Sequence, residues 1–380
     1  MENLAHTLLG LTMAEAGLEA ATPLATATLI ISSNLPDLDL VMYPAGDALS
    51  YIRYHRGLSH SFVGLVVLAL ALTIVMMLFD RRLRLRRDNF RRPARPVRIF
   101  LLALLGGLVH LFLDFTNSYG VRPLMPFSGR WFYGDFVFVV DPWIWLILGF
   151  SVVWFTLRKR PRSRVHRAMA VLWITVGTLT SLVVFFALKR SVAGIPSLSR
   201  SVATIWFCGL AVVVFGAVFG WGRKGLGYAR WSLLFLAIYY GALLIGHQAA
   251  SQRVQNMSPA VDVAATAIWP QPANPFLWGA VESAHGAVYS RSVNLAVRSA
   301  EQAGSSSAWE ERLSPSPALV EALQRSGPGQ TFLNFARMPT VQETSRPNGS
   351  SVILRDSRFG LKLRAELDPD LNVLSSSVEW

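Results

Sequence analysis

The chain has 380 residues, 52% of them hydrophobic, and its formal net charge at pH 7 is +13. Its mean hydropathy is +0.38, which excludes an ordinary soluble protein of this size. The single cysteine, Cys208, excludes a disulfide framework. Most of the positive charge lies in short loops between apolar runs, which indicates membrane topology rather than nucleic-acid binding. We therefore expect no nucleic-acid partner.

Apolar runs of about 18 residues or more are typical of membrane-spanning helices. Two shorter runs come first in the chain, at 4–18 and 23–35. The longer runs that follow are 61–79, 98–115, 142–157, 168–188, 202–220 and 231–247. The sequence therefore predicts an all-α, polytopic membrane domain of about 6–8 hydrophobic helices. The N-terminus lacks a cluster of positive charge, so no cleaved signal peptide is expected.

Two arginine-rich loops set the expected orientation. Loop 80–98 contains nine arginines, and loop 158–167 contains six Lys or Arg residues. Short basic loops stay in the cytoplasm, and both loops lie on that side if every intervening run spans. The chain after residue 251 then emerges on the opposite face. Binding of anionic lipid by these arginines is an additional role that the sequence leaves open.

The chain from residue 252 onward predicts a small extracytoplasmic domain that is α+β or mostly β. A Pro- and Ala-rich linker leads to residue 278, and the segment 299–326 is expected to be more helical. Period-two alternation predicts antiparallel strands, joined by RPNG and DSRFG turns, at 285–295, 331–338, 351–360 and 361–368. The predicted domains are a membrane core (1–145), additional transmembrane helices (146–251), and the C-terminal domain with its linker (252–380).

His110 and Asp114 lie inside the apolar run 98–115. Ionisable residues within a span are costly and indicate a functional site, and residues four apart share one helix face. The alternative is a His–Asp pair that only satisfies its own polarity, or a polar contact between helices.

Other histidines and carboxylates of the first 141 residues are expected near the same membrane face. The motif HRGLSHS lies at the mouth of an apolar run, and PDLD is a second acidic motif. Each has a structural alternative: PDLD suits a capped turn, a lone histidine on an apolar helix is often packed, and Asp-Pro is a common helix start. The full set is His6, Asp37, Asp39, His55, His60, His110, Asp114, Asp135 and Asp141.

Imidazole nitrogens and carboxylate oxygens together are the ligands of zinc, manganese or iron in hydrolytic sites. We therefore expect one or two divalent ions, zinc first, with manganese or iron as alternatives. A carboxylate that bridges two ions gives the paired clamp that favours phosphoryl transfer. Asp37 and Asp135 are candidates for a catalytic base or a further ligand. Arg56 is a candidate for a phosphate contact, with lipid headgroups as the equal alternative.

In chain order, His6, PDLD, HRGLSHS and HLFLD resemble the membrane-bound metal-dependent hydrolases of bacteria, an inner-membrane family with a LexA-regulated member. That family is similar to the zinc-dependent phospholipase C and single-strand nuclease superfamily, whose soluble members also use the free N-terminal amine as a ligand. The resemblance covers roughly residues 1–145. It implies a metal held by Asp39, His60, His110 and Asp114, and a second metal that His6 binds across a bridging Asp114. His55 is a further metal-ligand candidate, although it has no clear counterpart in the soluble relatives.

The expected function is a metal-dependent hydrolase embedded in the bacterial inner membrane, with membrane lipids as partners. Its expected substrate is a phosphoester, lipid or lipid-linked, at the outer face. A transporter or ion-path protein is one alternative, but it would need polar groups in later spans, and 168–188 and 202–220 contain no histidine or acidic residue. A non-catalytic membrane anchor for the C-terminal domain is the other alternative.

Overall fold

The computed structural model describes residues 1–42, 48–84, 92–158, 175–179, 181–182, 196–219, 225–258, 262–296 and 309–380. The chain folds as two compact units. The first unit comprises Met1–Asp37, Leu58–Gly246 and Pro270–Pro275. The second comprises Leu38–Gly57, His247–Trp269 and Phe276–Trp380. The predicted domain boundaries at 145 and 251 stay predictions.

Helices dominate the chain up to residue 255. In chain order the described helices are α1 (Asn3–Glu15), α2 (Ala25–Ser32), α3 (Ala48–Tyr54), α4 (Phe62–Phe79), α5 (Pro96–Phe115), α6 (Pro142–Arg158), α7 (Pro196–Phe219), α8 (Gly225–Gln255), α9 (Pro317–Gln324) and α10 (Gly327–Phe335). Two 3₁₀ turns, Leu35–Met42 and Leu58–His60, matter for the candidate site. Pro96 at the start of α5 suits a helix N-terminus, because its missing N–H would have no partner there.

Three segments of the described residues are long and apolar enough to cross a membrane: Phe62–Arg84, Pro96–Phe115 and Gly227–Gln255. They coincide with three of the predicted runs. The runs 142–157 and 202–220 form shorter apolar helices over Pro142–Val153 and Val202–Phe215. Most of the predicted run 168–188 lies outside the described residues. The prediction of a helical membrane domain is thus confirmed to the extent of three candidate spans, and the total of 6–8 stays a prediction.

The first unit packs α1, α2, α4 and α5 against one another. Small residues permit close approach: a Cβ on Gly106 of α5 would lie 2.0 Å from Ser32 Oγ at the end of α2. Small residues at such contacts are typical of membrane helices. The core of this unit includes Leu8, Leu29 and Leu113, all fully or almost fully buried. This packing brings the C-terminal end of α5 beside the residues that follow α2.

The described chain after residue 264 contains two four-stranded antiparallel sheets, each in sequential strand order. One sheet comprises β1 (Ala265–Gln271), β2 (Asn274–Ala284), β3 (Ala287–Asn294) and β4 (Glu310–Leu313). The other comprises β5 (Thr340–Arg346), β6 (Gly349–Arg355), β7 (Lys362–Leu367) and β8 (Val373–Glu379). The helices α9 and α10 lie between β4 and β5 in the chain, so this region is α+β, as predicted. Fully buried Trp278 packs with Ile268 and Val293.

The strands predicted at 285–295, 351–360 and 361–368 are confirmed by β3, β6 and β7. The RPNG and DSRFG turns join β5 to β6 and β6 to β7 as predicted. The strand predicted at 331–338 is wrong, because these residues belong mainly to α10. Ser326 caps that helix by accepting a hydrogen bond from Gly329 N. Phe332 and Phe335, three residues apart, are both buried on its inner face.

The predicted linker is wrong beyond residue 264, since β1 and β2 occupy most of that stretch. The prolines in this stretch argued against strands, because proline has no N–H to donate to a central β-ladder. Pro270 is tolerated because β1 is the edge strand of its sheet. Segment 299–326 is helical only in part: α9 is a helix, Glu310–Leu313 is a strand, and 297–308 lies outside the described residues.

Candidate metal site

Four side chains of the first unit converge on one buried point. Asp37 comes from the 3₁₀ turn Leu35–Met42, His60 from the turn Leu58–His60, and His110 and Asp114 from α5. Each offers one ligand atom, and together these residues can hold a metal ion. His60, His110 and Asp114 are fully buried, and Asp37 is nearly so. Burying two carboxylates without a compensating cation is costly.

Five distances among the four ligand atoms are close to those of a tetrahedral site. His60 Nε2 lies 3.1 Å from His110 Nε2, 3.2 Å from Asp37 Oδ1 and 3.3 Å from Asp114 Oδ2. His110 Nε2 lies 3.3 Å from Asp114 Oδ2 and 3.7 Å from Asp37 Oδ1. Tetrahedral zinc with ligand bonds of about 2.0–2.2 Å places its ligand atoms about 3.3–3.6 Å apart. The residues present therefore fit a metal of that size.

The histidine rings are oriented by hydrogen bonds from their other nitrogens. His110 Nδ1 lies 2.8 Å from the carbonyl oxygen of Ser33. A carbonyl only accepts, so Nδ1 donates, and His110 Nε2 of the neutral ring presents a lone pair to the cluster. His60 Nδ1 lies 2.9 Å from Ser59 Oγ. Such partners are typical of metal-binding histidines, whose tautomer and orientation they fix.

Asp114 faces two groups with its two oxygens. Its Oδ2 faces His60 and His110. Its Oδ1 lies 3.6 Å from His6 Nε2 and forms an ion pair with the α-amine of Met1. The His6 ring also stacks on His110, with centroids 3.9 Å apart. The carboxylate thus joins the group of four to a second set of nitrogens, as a bridging role requires.

Electrostatics keep Asp37 ionised. Burial raises the pKa of this carboxyl, but the hydrogen bond with His60 and the electrostatic interactions with both imidazoles and the N-terminal amine outweigh it. The net result is that the pKa of Asp37 lies below its ordinary value. A carboxylate that is ionised at neutral pH is the form that binds a cation.

The motif HRGLSHS places His60 by ending in a helix cap. Ser61 Oγ accepts a hydrogen bond from Gly64 N at 3.0 Å and donates to Leu58 O at 2.8 Å. Only glycine fits at position 64, because a Cβ there would lie 1.8 Å from Leu58 O. His60 is therefore the last residue of the 3₁₀ turn, directly before Ser61, which caps α4.

Asp39 and His55 belong to the second unit and pair with each other. His55 Nδ1 lies 3.0 Å from Asp39 Oδ1, and Arg56 N donates to Asp39 Oδ2 at 3.3 Å. The resemblance implied that Asp39 joins His60, but the structure places Asp37 there. Arg56 is buried, with a φ of 55°.

The two later aspartates lie near helix ends. Asp135 is buried with a φ of 60°. The residues on either side of it are hydrogen-bonded to the end of α5: Gly134 N donates to Phe115 O, and Phe136 N donates to Thr116 O. Asp135 therefore adjoins the end of α5, although it is not a member of the group of four. Asp141 caps α6 as predicted, since its Oδ1 accepts from Trp143 N at 2.9 Å.

Sequence reasoning missed three partners of this site: the α-amine of Met1, the carbonyl of Ser33 and the hydroxyl of Ser59. Ser59 could have been found by its position beside His60. The carbonyl of Ser33 carries no residue-type signal, because every residue has one. The contact with the Met1 amine depends on how α1 packs against α5.

A family model described as YdjM inner membrane protein matches residues 1–192, half of the chain. The chain belongs to this family. Membership in the YdjM family, together with the apolar helices, makes it a membrane protein. It also agrees with the inner-membrane family that the motifs resemble. The matched region contains all four residues of the group.

The chain is also similar to a curated protein, the "Uncharacterized protein YfhP" of Bacillus subtilis (strain 168). It is 28% identical over 127 residues, which make up 33% of this chain and 35% of that protein. The match thus spans about a third of each chain. No solved structure matches this YdjM family member.

Proposed function

We propose that this YdjM family protein is a membrane-embedded hydrolase that binds a divalent metal ion, zinc first, on Asp37, His60, His110 and Asp114. The observation that carries the proposal is the convergence of four buried ligand atoms, all within 4.8 Å of one another. A ligand set of imidazole and carboxylate suits a hydrolytic rather than a redox ion. A bound ion of this kind would polarise the substrate and activate water.

The chain's own residues supply the arrangement. Ser33 O and Ser59 Oγ hold the two imidazoles in orientation, and the ionised carboxylate of Asp37 supplies negative charge. Asp37 is the most exposed of the four, so the substrate approaches from its side. Asp135, buried beside the end of α5, is the candidate base, and Asp114 is the candidate bridge to a second ion near His6.

The substrate we propose is a phosphoester of a lipid or lipid-linked compound. Support comes from position: His110 and Asp114 lie in the last turns of the span Pro96–Phe115, and span ends lie near headgroup depth. The site is proposed to lie at the outer face of the inner membrane, with the C-terminal domain extracytoplasmic. Arg56, which belongs to the second unit, is the proposed phosphate contact or headgroup contact.

A structural metal site is the second candidate function, and one observation favours it. Four protein ligands close a tetrahedral site, whereas catalytic zinc sites usually keep a position open. In that case the ion would hold the turns that carry Asp37 and His60 against α5. The protein would then serve as a membrane anchor for its C-terminal domain.

Hydrolysis by purified protein separates these functions. The protein, in nanodiscs, is assayed against a phosphomonoester, a phosphodiester and a phospholipid before and after chelation and zinc addition. A hydrolase loses turnover on chelation and regains it with zinc, and Asp37→Asn abolishes it, while the matched surface variant Asp370→Asn does not. Loss of thermal stability on chelation, with no turnover on any substrate class, would support the structural site instead.

A further inference from the structure

The loop between α5 and α6 carries the most exposed large hydrophobic residue among those the structure describes. Phe127 is 87% exposed, and Leu124 beside it is 43% exposed. Neither position belongs to the candidate metal site. A single exposed hydrophobic side chain is ordinary, whereas neighbouring ones that form a patch can mark a contact surface.

The backbone at this tip is satisfied within the loop. Met125 N donates to Arg122 O, and both Phe127 N and Ser128 N donate to Leu124 O, at 3.0 and 3.1 Å. Pro126 has no N–H. Every backbone donor from 125 to 128 is thus paired locally, so these N–H groups do not depend on water for a partner.

The loop is tied to the end of a membrane span. Phe62 N, at the first residue of the candidate span Phe62–Arg84, donates to Pro123 O at 3.0 Å. Phe62 and Val63 are themselves exposed, and so is Val67 further along α4. The tip is therefore hydrogen-bonded to the end of a candidate span whose first residues carry exposed apolar side chains. Because a span ends where the hydrocarbon ends, the tip lies at that boundary.

The base of the loop has the composition of a membrane interface. Val121 and Phe132 form an antiparallel bridge that closes it. The Arg122 guanidinium lies 4.6 Å from the Trp131 ring centroid. The Tyr133 ring also stacks on Trp131. Tryptophan and tyrosine concentrate at headgroup depth, and arginine stems lie along apolar surface with the charge in the polar layer.

We propose that this loop, residues 122–133, is a membrane-interface anchor. Phe127 and Leu124 insert into the leaflet at the end of α4, and the Arg122 and Arg130 guanidiniums contact headgroup phosphates above them. The occupant of this surface is the lipid of the membrane that the protein spans. The inference is independent of the metal and of the proposed hydrolysis.

Depth-dependent fluorescence tests the anchor. Single-cysteine variants Phe127→Cys and Leu124→Cys, in a Cys208→Ala background, are labelled with an environment-sensitive dye and reconstituted in phosphatidylcholine–phosphatidylglycerol vesicles. Val67→Cys in the span is the lipid reference, and Asp370→Cys, at an exposed turn, is the aqueous reference. Both test positions are exposed, so the changes leave packing intact, and size-exclusion chromatography checks each variant before labelling.

The anchor predicts blue-shifted emission at both positions, quenching by nitroxides attached to shallow acyl positions, and loss of the iodide quenching seen at position 370. Two results would overturn it. Iodide quenching equal to that at position 370 would place the tip in water. Protection from iodide and from every nitroxide lipid would show that protein covers the tip.

Discussion

The Nε2 atoms of His60 and His110 lie 3.1 Å apart, and each also faces a carboxylate oxygen of Asp114 at 3.3 Å. Since His110 Nδ1 donates to Ser33 O, its Nε2 presents a lone pair to this contact. Lone pairs and carboxylates that converge this closely are costly to bury unless a proton or a metal ion lies among them. A bound metal ion would make this cluster a metal site, and a shared proton would make it a proton-sharing cluster.

Removing either imidazole should release the metal. We expect His60→Ala and His110→Ala each to lose about one equivalent of bound divalent ion while remaining in the membrane, because a tetrahedral site that loses a ligand binds far more weakly. Elemental analysis of purified protein measures this. The matched control is His285→Ala, since His285 is 64% exposed in the second unit. Full metal content in both site variants would refute the assignment.

Close packing at Gly106 should support the same site. Gly106→Ala places a Cβ 2.0 Å from Ser32 Oγ, next to the residue whose carbonyl orients His110. We expect a loss of about 1–3 kcal/mol in stability, as overpacking costs, and weaker metal retention. Thermal unfolding in detergent, with and without zinc, measures both. The control is Gly149→Ala, where a Cβ meets nothing within 4 Å; equal effects in the two variants would contradict the prediction.

Asp141 should make stability depend on pH. Burial raises the pKa of Asp141 to about 6, although hydrogen bonds from Tyr239 and from the backbone of α6 oppose the rise. Because the folded pKa exceeds the unfolded value, this group's contribution is present below about pH 4 and lost as pH rises through 6. The loss amounts to about 3 kcal/mol.

Asp141→Asn should remove that loss, since asparagine also caps helices and accepts the Tyr239 hydroxyl. Apparent melting temperatures at pH 4.5 and 7.5 are compared between the wild type and the variant. We expect a smaller drop in the variant. An identical drop in both would mean that Asp141 does not carry the pH dependence.

The predicted orientation places the arginine loop before α5 in the cytoplasm and the C-terminal domain outside. In a Cys208→Ala background, an impermeant maleimide should label Asp370→Cys in intact cells, and should label Arg95→Cys only after permeabilisation. The positive-inside rule is the reason. The opposite pattern would invert the topology and move the proposed site to the cytoplasmic face.

The sequence predicted α4, which follows His60, and α5, which contains His110. Both are continuous apolar runs, and such runs can be recognised without knowing how the helices pack. The sequence also placed His110 and Asp114 on one face, since a spacing of four is fixed within a helix. It did not distinguish Asp37 from Asp39, because the phase of a short 3₁₀ turn depends on tertiary contacts. The strand β1 was missed for a similar reason: proline excludes a central strand, and only the sheet order shows that β1 is an edge.

X-ray absorption at the zinc edge of purified, zinc-loaded and dialysed protein tests the metal site most directly. The geometry predicts a stoichiometry of about one retained zinc bound by nitrogen and oxygen only, at about 2.0–2.2 Å, with outer-shell scattering from imidazole rings. That signal should disappear in the His60→Ala/His110→Ala double variant. A protein that retains no metal after dialysis, or a double variant with an unchanged spectrum, would contradict a metal bound by Asp37, His60, His110 and Asp114.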